Sequence, residues 1–206
     1  MSEVTTDDTV LPIAGKPWEL MLPPGWWTIP TRAEESRTSI VRLLDHTFRG
    51  TARDELVTRR IEIDRELTQA VARAGQQGAT HVHTLVRPVR GVPVSATLVV
   101  TPVTIGPAQD VAEAFAHVLD SGGGVLEHGS VSLAGRPALR RVRRTPMTVE
   151  VAGSEVSRWQ TGVDYVVDLG GDSLLMPGFT TLTDQVREDM VALFDAMAGT
   201  LRQRTS

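Results

Sequence analysis

The amino-acid sequence predicts an α+β fold, a mainly antiparallel β-sheet flanked by helices, with a helical insertion near the N-terminus. Three observations lead there. From residue 79 onward, period-two apolar patterning runs through successive short segments broken by Gly and Pro, the mark of antiparallel hairpins. Helical periodicity is confined to Arg32–Ala74, Pro107–Leu119 and Asp184–Leu201. Strands do not alternate one for one with helices, as a parallel doubly wound sheet requires.

Each element follows from its residues. Positions 1–15 carry Thr and Asp with little apolar pattern and read as a flexible arm, leaving 16–206 as a single α+β domain. Trp18-Glu19-Leu20-Met21 is extended, Pro23-Pro24-Gly25 turns the chain, and Trp26–Pro30 is a second short strand. In Arg32–Ala74 one stripe holds Ile40, Leu43, Leu44 and Phe48, and another holds Leu56, Ile63, Leu67, Ala70 and Ala74. A break near Gly50-Thr51 divides this stretch into two helices. Strands are expected at Thr80–Arg87, Pro93–Val103, Val125–Leu133, Pro137–Thr145, Thr148–Gln160, Val163–Asp168 and Ser173–Thr180. Leu169-Gly170-Gly171-Asp172 is a hairpin turn, because paired glycines supply the positive φ of primed turns. The closing helix aligns Val186, Met190, Leu193, Phe194, Met197 and Leu201 on one face.

Composition narrows the function classes. A chain of 206 residues can bury about 70% of its unfolded surface without disulfide or metal. It has no cysteine, which removes thiol nucleophiles and Cys-ligated zinc. The net charge of −4 speaks against general affinity for nucleic acid. The start is acidic and polar, unlike a signal peptide, and no apolar run is long enough to span a bilayer. A cytoplasmic location is therefore expected. Lys16 is the only lysine and asparagine is absent, a codon bias that points to a high-GC genome.

The candidate sites are few. His81 and His83 lie two apart in a strand and so share a face, but a metal needs a third ligand, and His46, His117 and His128 have no ligand-like spacing. Ser130 and Ser132 lack the Gly-x-Ser-x-Gly elbow of a hydrolase nucleophile. Gly122-Gly123-Gly124 follows a helix where a phosphate loop must precede one. No catalytic residue, metal or cofactor is assigned. Arg136, Arg140, Arg141, Arg143 and Arg144 make a dense basic strand, and Arg140, Arg141, Arg143 and Arg144 are the binding candidates by charge density. Trp26 and Trp27 are adjacent, so a regular strand turns them to opposite faces and exposes one, with Trp27 as the candidate anchor. Trp159 is the third aromatic of this group.

The order of elements carries a resemblance. Leu22-Pro23-Pro24-Gly25-Trp26 opens the fold, and Ser157-Arg158-Trp159, Val163-Asp164-Tyr165-Val166-Val167, a Gly-Gly turn, Leu174–Thr181 and the helix with Leu193-Phe194-Asp195-Ala196-Met197 close it. This resembles the PsbP-like α/β/α sandwich and a set of uncharacterised actinobacterial proteins, some associated with type VII secretion. The resemblance implies an antiparallel sheet flanked by helices and an accessory or binding role without common catalytic residues. The expected function is a non-enzymatic accessory or protein-binding module with a protein partner. The alternatives are a small-molecule or lipid carrier with an apolar pocket, and an enzyme with a dispersed site.

Overall fold

A computed structural model describes residues 9–12, 18–49, 53–86, 94–105, 123–151 and 154–204. Its strands are β1 (Thr9–Pro12), β2 (Trp18–Leu22), β3 (Trp26–Pro30), β4 (His81–Leu85), β5 (Ala96–Thr104), β6 (Val125–Leu133), β7 (Arg136–Val151), β8 (Ser154–Gly170), β9 (Ser173–Thr181) and β10 (Arg202–Gln203). The helices are α1 (Ala33–Thr47), α2 (Arg53–Gln76) and α3 (Arg187–Ala198), the last entered through a 3₁₀ turn at Asp184–Val186. The expected helix at Pro107–Leu119 lies outside the described residues.

Seven strands form one sheet in the order β3-β4-β5-β9-β8-β7-β6, and every neighbouring pair is antiparallel. The fold is thus mainly antiparallel sheet with helices packed on it, as the period-two patterning predicts. A second sheet, β1-β2-β10, is small and also antiparallel. Two features of the pairing concern the N-terminal segment. Thr9–Pro12, inside the segment read as an arm, pairs with Met21 and its neighbours as a strand. The strands on either side of Pro23-Pro24-Gly25 do not pair with each other but enter different sheets. β10 meets β2 through Arg202↔Glu19, and the Met21 N–H donates to Thr200 Oγ1 at 2.9 Å beside it.

Both faces of the large sheet are covered. On one, Leu98, Val163, Tyr165, Val167, Leu175 and Phe179 pack against Met190, Phe194 and Met197 of α3 and against Trp18, Leu20 and Leu22 of β2. Phe179 stacks on Phe194 with ring centroids 5.0 Å apart. On the other, Ile29, Val82 and Val99 meet Ile40, Leu43, Leu44 and Val71 of α1 and α2. Burying side chains of this size contributes about 1.5–3 kcal/mol each, which is why α1 and α3 hold without a side-chain N-cap bond. Further along the same face, Leu139, Val166 and Leu174 form a third buried cluster with Ile105.

The two strands β7 and β8 are much longer than expected. Three expected strands are merged into two, which pair as far as Val151↔Ser154 and are not broken at Pro146 or near Thr161-Gly162. Pro146 does not interrupt β7, because β6 reaches only as far as Val125 opposite Arg143. At Pro146 the outer edge of β7 has no strand beside it among the described residues, so a missing N–H there breaks no ladder bond.

Candidate protein-binding surface

Beyond the end of β6 at Arg143 and of β9 at Thr161, β7 and β8 pair only with each other among the described residues, from Thr145↔Gln160 to Val151↔Ser154. The result is a two-stranded ribbon about 20 Å long, at roughly 3.4 Å per residue, continuing past the ends of the neighbouring strands β6 and β9. Along it, residues 154–159 are all exposed. Trp159 is 45% exposed and Val156 36% exposed. At its base, Val125 and Leu126 of β6 are also exposed.

Trp159 is held in place. The Arg144 guanidinium lies 4.4 Å from the centre of its indole ring, and Arg144 Nη2 in turn donates to Asp184 Oδ2 at 2.8 Å. This places a planar cation between an aromatic face and a carboxylate, which fixes the ring's orientation while leaving much of its surface open. Arg144 Nε is buried with no hydrogen-bond partner among the described residues. The Arg144 N–H donates to the Gly124 carbonyl at 2.7 Å, so the ribbon's base is tied to the start of β6.

The other arginines of β7 have internal partners. Arg140 forms a fork with Asp195 of α3, through Nε at 2.7 Å and Nη2 at 2.8 Å, and its Nη1 reaches Glu127 at 2.9 Å. Tyr165 donates its hydroxyl to the same Asp195 carboxylate. Burial, reinforced by that bond to Asp195, pushes the Tyr165 phenol well above its ordinary value, and the bond to Asp195 likewise raises the Arg140 guanidinium. On the opposite face Arg141 and Arg143 converge on Asp164, at 2.9 Å each, and Arg141 is only 6% exposed. Sequence alone ranks these arginines by density. The structure engages Arg140, Arg141 and Arg143 in cross-strand and strand–helix ion pairs, and turns Arg144 to Trp159.

Trp27 is half-buried against α1. Its Nε1 donates to Ser39 Oγ at 3.1 Å and its ring stacks on His46 at 6.0 Å. The exposed tryptophan is Trp159, which the adjacency argument at Trp26 and Trp27 could not select. The signal was available elsewhere: Ser154–Arg158 shows no regular apolar alternation, which is how a strand without a covered face reads.

His81 and His83 do share a face, with ring centroids 6.1 Å apart. His83 is 4% exposed, and its Nδ1 lies 3.1 Å from Thr28 Oγ1. Burial, with His81 nearby, pushes it down to about 3, a neutral ring at ordinary pH. Burial also lowers His81, against the opposing pull of Glu35. Among the described residues, no three His, Cys, Asp or Glu side chains are placed to hold a metal ion. Ser130 and Ser132 are exposed along the outer strand β6. No described helix is long and apolar enough to cross a membrane.

No protein-family model and no curated protein matches the chain. Solved structures do resemble it in fold. The cyanobacterial PsbP (CyanoP) of Synechocystis sp. PCC 6803 superposes with a TM-score of 0.49 at 11% identity, over 98% of this chain and 96% of that one. LpqN of Mycobacterium tuberculosis, described as involved in cell envelope biogenesis, gives 0.48 at 10% identity, over 95% and 90%. The Ran-binding protein Mog1p of Saccharomyces cerevisiae gives 0.45 at 9%, over 97% of each.

Proposed function

We propose that this chain is a non-enzymatic, protein-binding accessory module and that the β7–β8 ribbon is its contact surface. The observation that carries the reading is Trp159, oriented by Arg144 at 4.4 Å yet 45% exposed, on a ribbon that no other described element covers. Tryptophan and arginine are the side chains that dominate binding hot spots, and a tryptophan already held in one orientation loses little freedom on docking. Val156, Val125 and Leu126 extend the apolar surface around it. A two-stranded ribbon has little stability of its own in water, so one this long gains from a partner laid along it. An actinobacterial source belongs to the same reading, supported by the single lysine against 20 arginines.

The test is affinity capture from the source organism's lysate with wild type, Trp159→Ser and Ser132→Ala as a surface control. A partner that binds wild type and the control, and is lost with Trp159→Ser at unchanged thermal midpoint, supports the reading. Identical capture by all three removes the ribbon as the surface.

A further inference from the structure

The edge of the large sheet opposite the ribbon's side is β3, and its outer flank is a groove of about 610 Å³ shared with α1. Trp27, Thr28 and Pro30 form one wall, and Glu34, Glu35 and Arg42 stand on the other. The backbone of this edge can be assigned atom by atom. Val86 N–H donates to the Gly25 carbonyl at 3.0 Å and Thr31 N–H to the Thr80 carbonyl at 2.9 Å. Those are bonded pairs of the β3–β4 ladder, and its register makes Trp27 and Ile29 bonded positions too. The intervening Trp26, Thr28 and Pro30 therefore turn their backbone groups outward, towards the groove side. Pro30 has no N–H. Ser39 Oγ–H donates to the Thr28 carbonyl at 3.1 Å, which occupies one of its two lone pairs. Among the described residues, this edge offers an added strand the amides of Trp26 and Thr28, the carbonyls of Trp26 and Pro30, and the second lone pair of the Thr28 carbonyl.

The charges that line the groove are polarised, although Glu35 also makes a loose, exposed pair with Arg32 at 3.4 Å outside the lining. β3 ends at Pro30 and α1 starts at Ala33, so the helix runs back along the strand and places Glu34 and Glu35 beside Pro30. Arg42 stands at the Trp27 end. The seven or eight helical residues between them span about 11 Å at 1.5 Å each. An extended chain covers that in four residues, about 13 Å, which also returns its side chains to the same face. An antiparallel addition to β3 runs from the Pro30 end to the Trp26 end.

We infer that this groove is a strand-addition site for an extended segment of another protein, carrying a basic residue followed four positions later by an acidic one. The basic side chain meets Glu34 and Glu35, the acidic one meets Arg42, and the intervening backbone bonds to Thr28. This is a site separate from the ribbon, and it stands whether or not Trp159 proves to be an anchor.

The probe is a fluorescein-labelled, end-blocked peptide with the core Lys-Val-Thr-Val-Glu, compared with the same peptide in which Lys and Glu are exchanged. Wild type is expected to prefer the first by roughly tenfold in polarisation titrations, since two partly exposed ion pairs are lost on exchange. The triple variant Glu34→Lys, Glu35→Lys, Arg42→Glu changes only exposed positions and is expected to reverse the preference. Saturating peptide is expected to slow deuterium exchange at the Thr28 amide, and Trp159→Ser is expected to change none of this. Absence of binding at millimolar peptide, an unreversed preference in a folded triple variant, or an unprotected Thr28 amide at saturation each overturns the proposal.

Discussion

Arg140 and Asp195 meet through two parallel bonds of 2.7 and 2.8 Å, tying the strand β7 to the final helix across the sheet's covered face. The Arg140 side chain is 14% exposed and that of Asp195 39%. Removing the carboxylate leaves a mostly buried cation whose remaining carboxylate partner among the described residues, Glu127, is itself 64% exposed. Asp195→Ala is therefore expected to lower unfolding free energy by about 2 kcal/mol, below the 3–5 of a fully buried pair because Asp195 is partly solvated. Tyr165→Phe is expected to remove about 1 kcal/mol, and the double variant less than the sum, since both act on one carboxylate. Asp45→Ala, which breaks the exposed pair with Arg60, serves as control and is expected to shift urea stability by less than about 0.5 kcal/mol.

His83 predicts an acid limb. Its folded-state value is depressed to about 3 from an ordinary 6.5. The unfolded chain therefore takes up a proton at this residue before the folded one does. The neutral ring's stabilisation is complete above the unfolded value near 6.5 and is lost as pH falls from there towards 3, at up to about 1.4 kcal/mol per pH unit. The measurement is the difference between wild type and His83→Gln in urea titrations at pH 7, 6 and 5, which isolates this residue. The gap between the two is expected to change steadily across that range. A constant gap would place no titration at His83.

Gly124 predicts a position-specific substitution effect. It has φ +78°, and a Cβ built on it would lie 2.1 Å from the Arg144 carbonyl oxygen that stands opposite. Neither the backbone conformation nor that close approach admits a side chain. Gly124→Ala is expected to destabilise by about 2–3 kcal/mol, by pushing the start of β6 off β7. Gly129, five residues on and inside β6, has no atom within 4 Å of a Cβ built on it. Gly129→Ala is expected to be neutral within about 0.5 kcal/mol, and thermal midpoints of the two variants measure the contrast.

The ribbon and the sheet should also separate in hydrogen exchange. Amides of Thr148–Val151 and Ser154–Ser157 are paired only across two strands among the described residues, with exposed side chains on β8, whereas Leu98, Val163, Val166 and Phe179 are at most 1% exposed within the sheet. The first group is expected to exchange through local opening and the second only near the global unfolding free energy. Uniform protection of both would show that the ribbon is not a separately opening unit.

The fold was largely legible because its signals are local. Alternation at Ala96, Leu98 and Val100, the Gly170-Gly171 turn with φ of +85° and +63°, and the stripe Met190, Phe194, Met197 each involve neighbours in sequence. The ribbon was not legible as one long hairpin. Pro146 and Gly162 look like breaks when a strand is assumed to have neighbours on both sides, and only the sheet order shows that Pro146 lies past the end of β6. The arginine strand was visible as charge, but the carboxylates that engage it come from 13 to 55 positions away, at Glu127, Asp164, Asp184 and Asp195. Such pairings leave no trace in spacing. Trp27 and Trp159 exchanged emphasis for the same reason: exposure depends on what lies opposite, and Ser39 and His46 lie opposite Trp27.

The small sheet has a consequence for how this protein is made. Its last pairing joins Arg202 to Glu19, 183 positions apart. Because synthesis runs from the N-terminus, β2 leaves the ribosome long before β10 or α3 exists. Until then Trp18, Leu20 and Leu22, all at most 5% exposed in the finished fold, have no α3 to cover them. Closing so long a loop is slow, so an early apolar strand waits for a late partner. A nascent chain of this design depends on being kept from its neighbours until its final helix emerges.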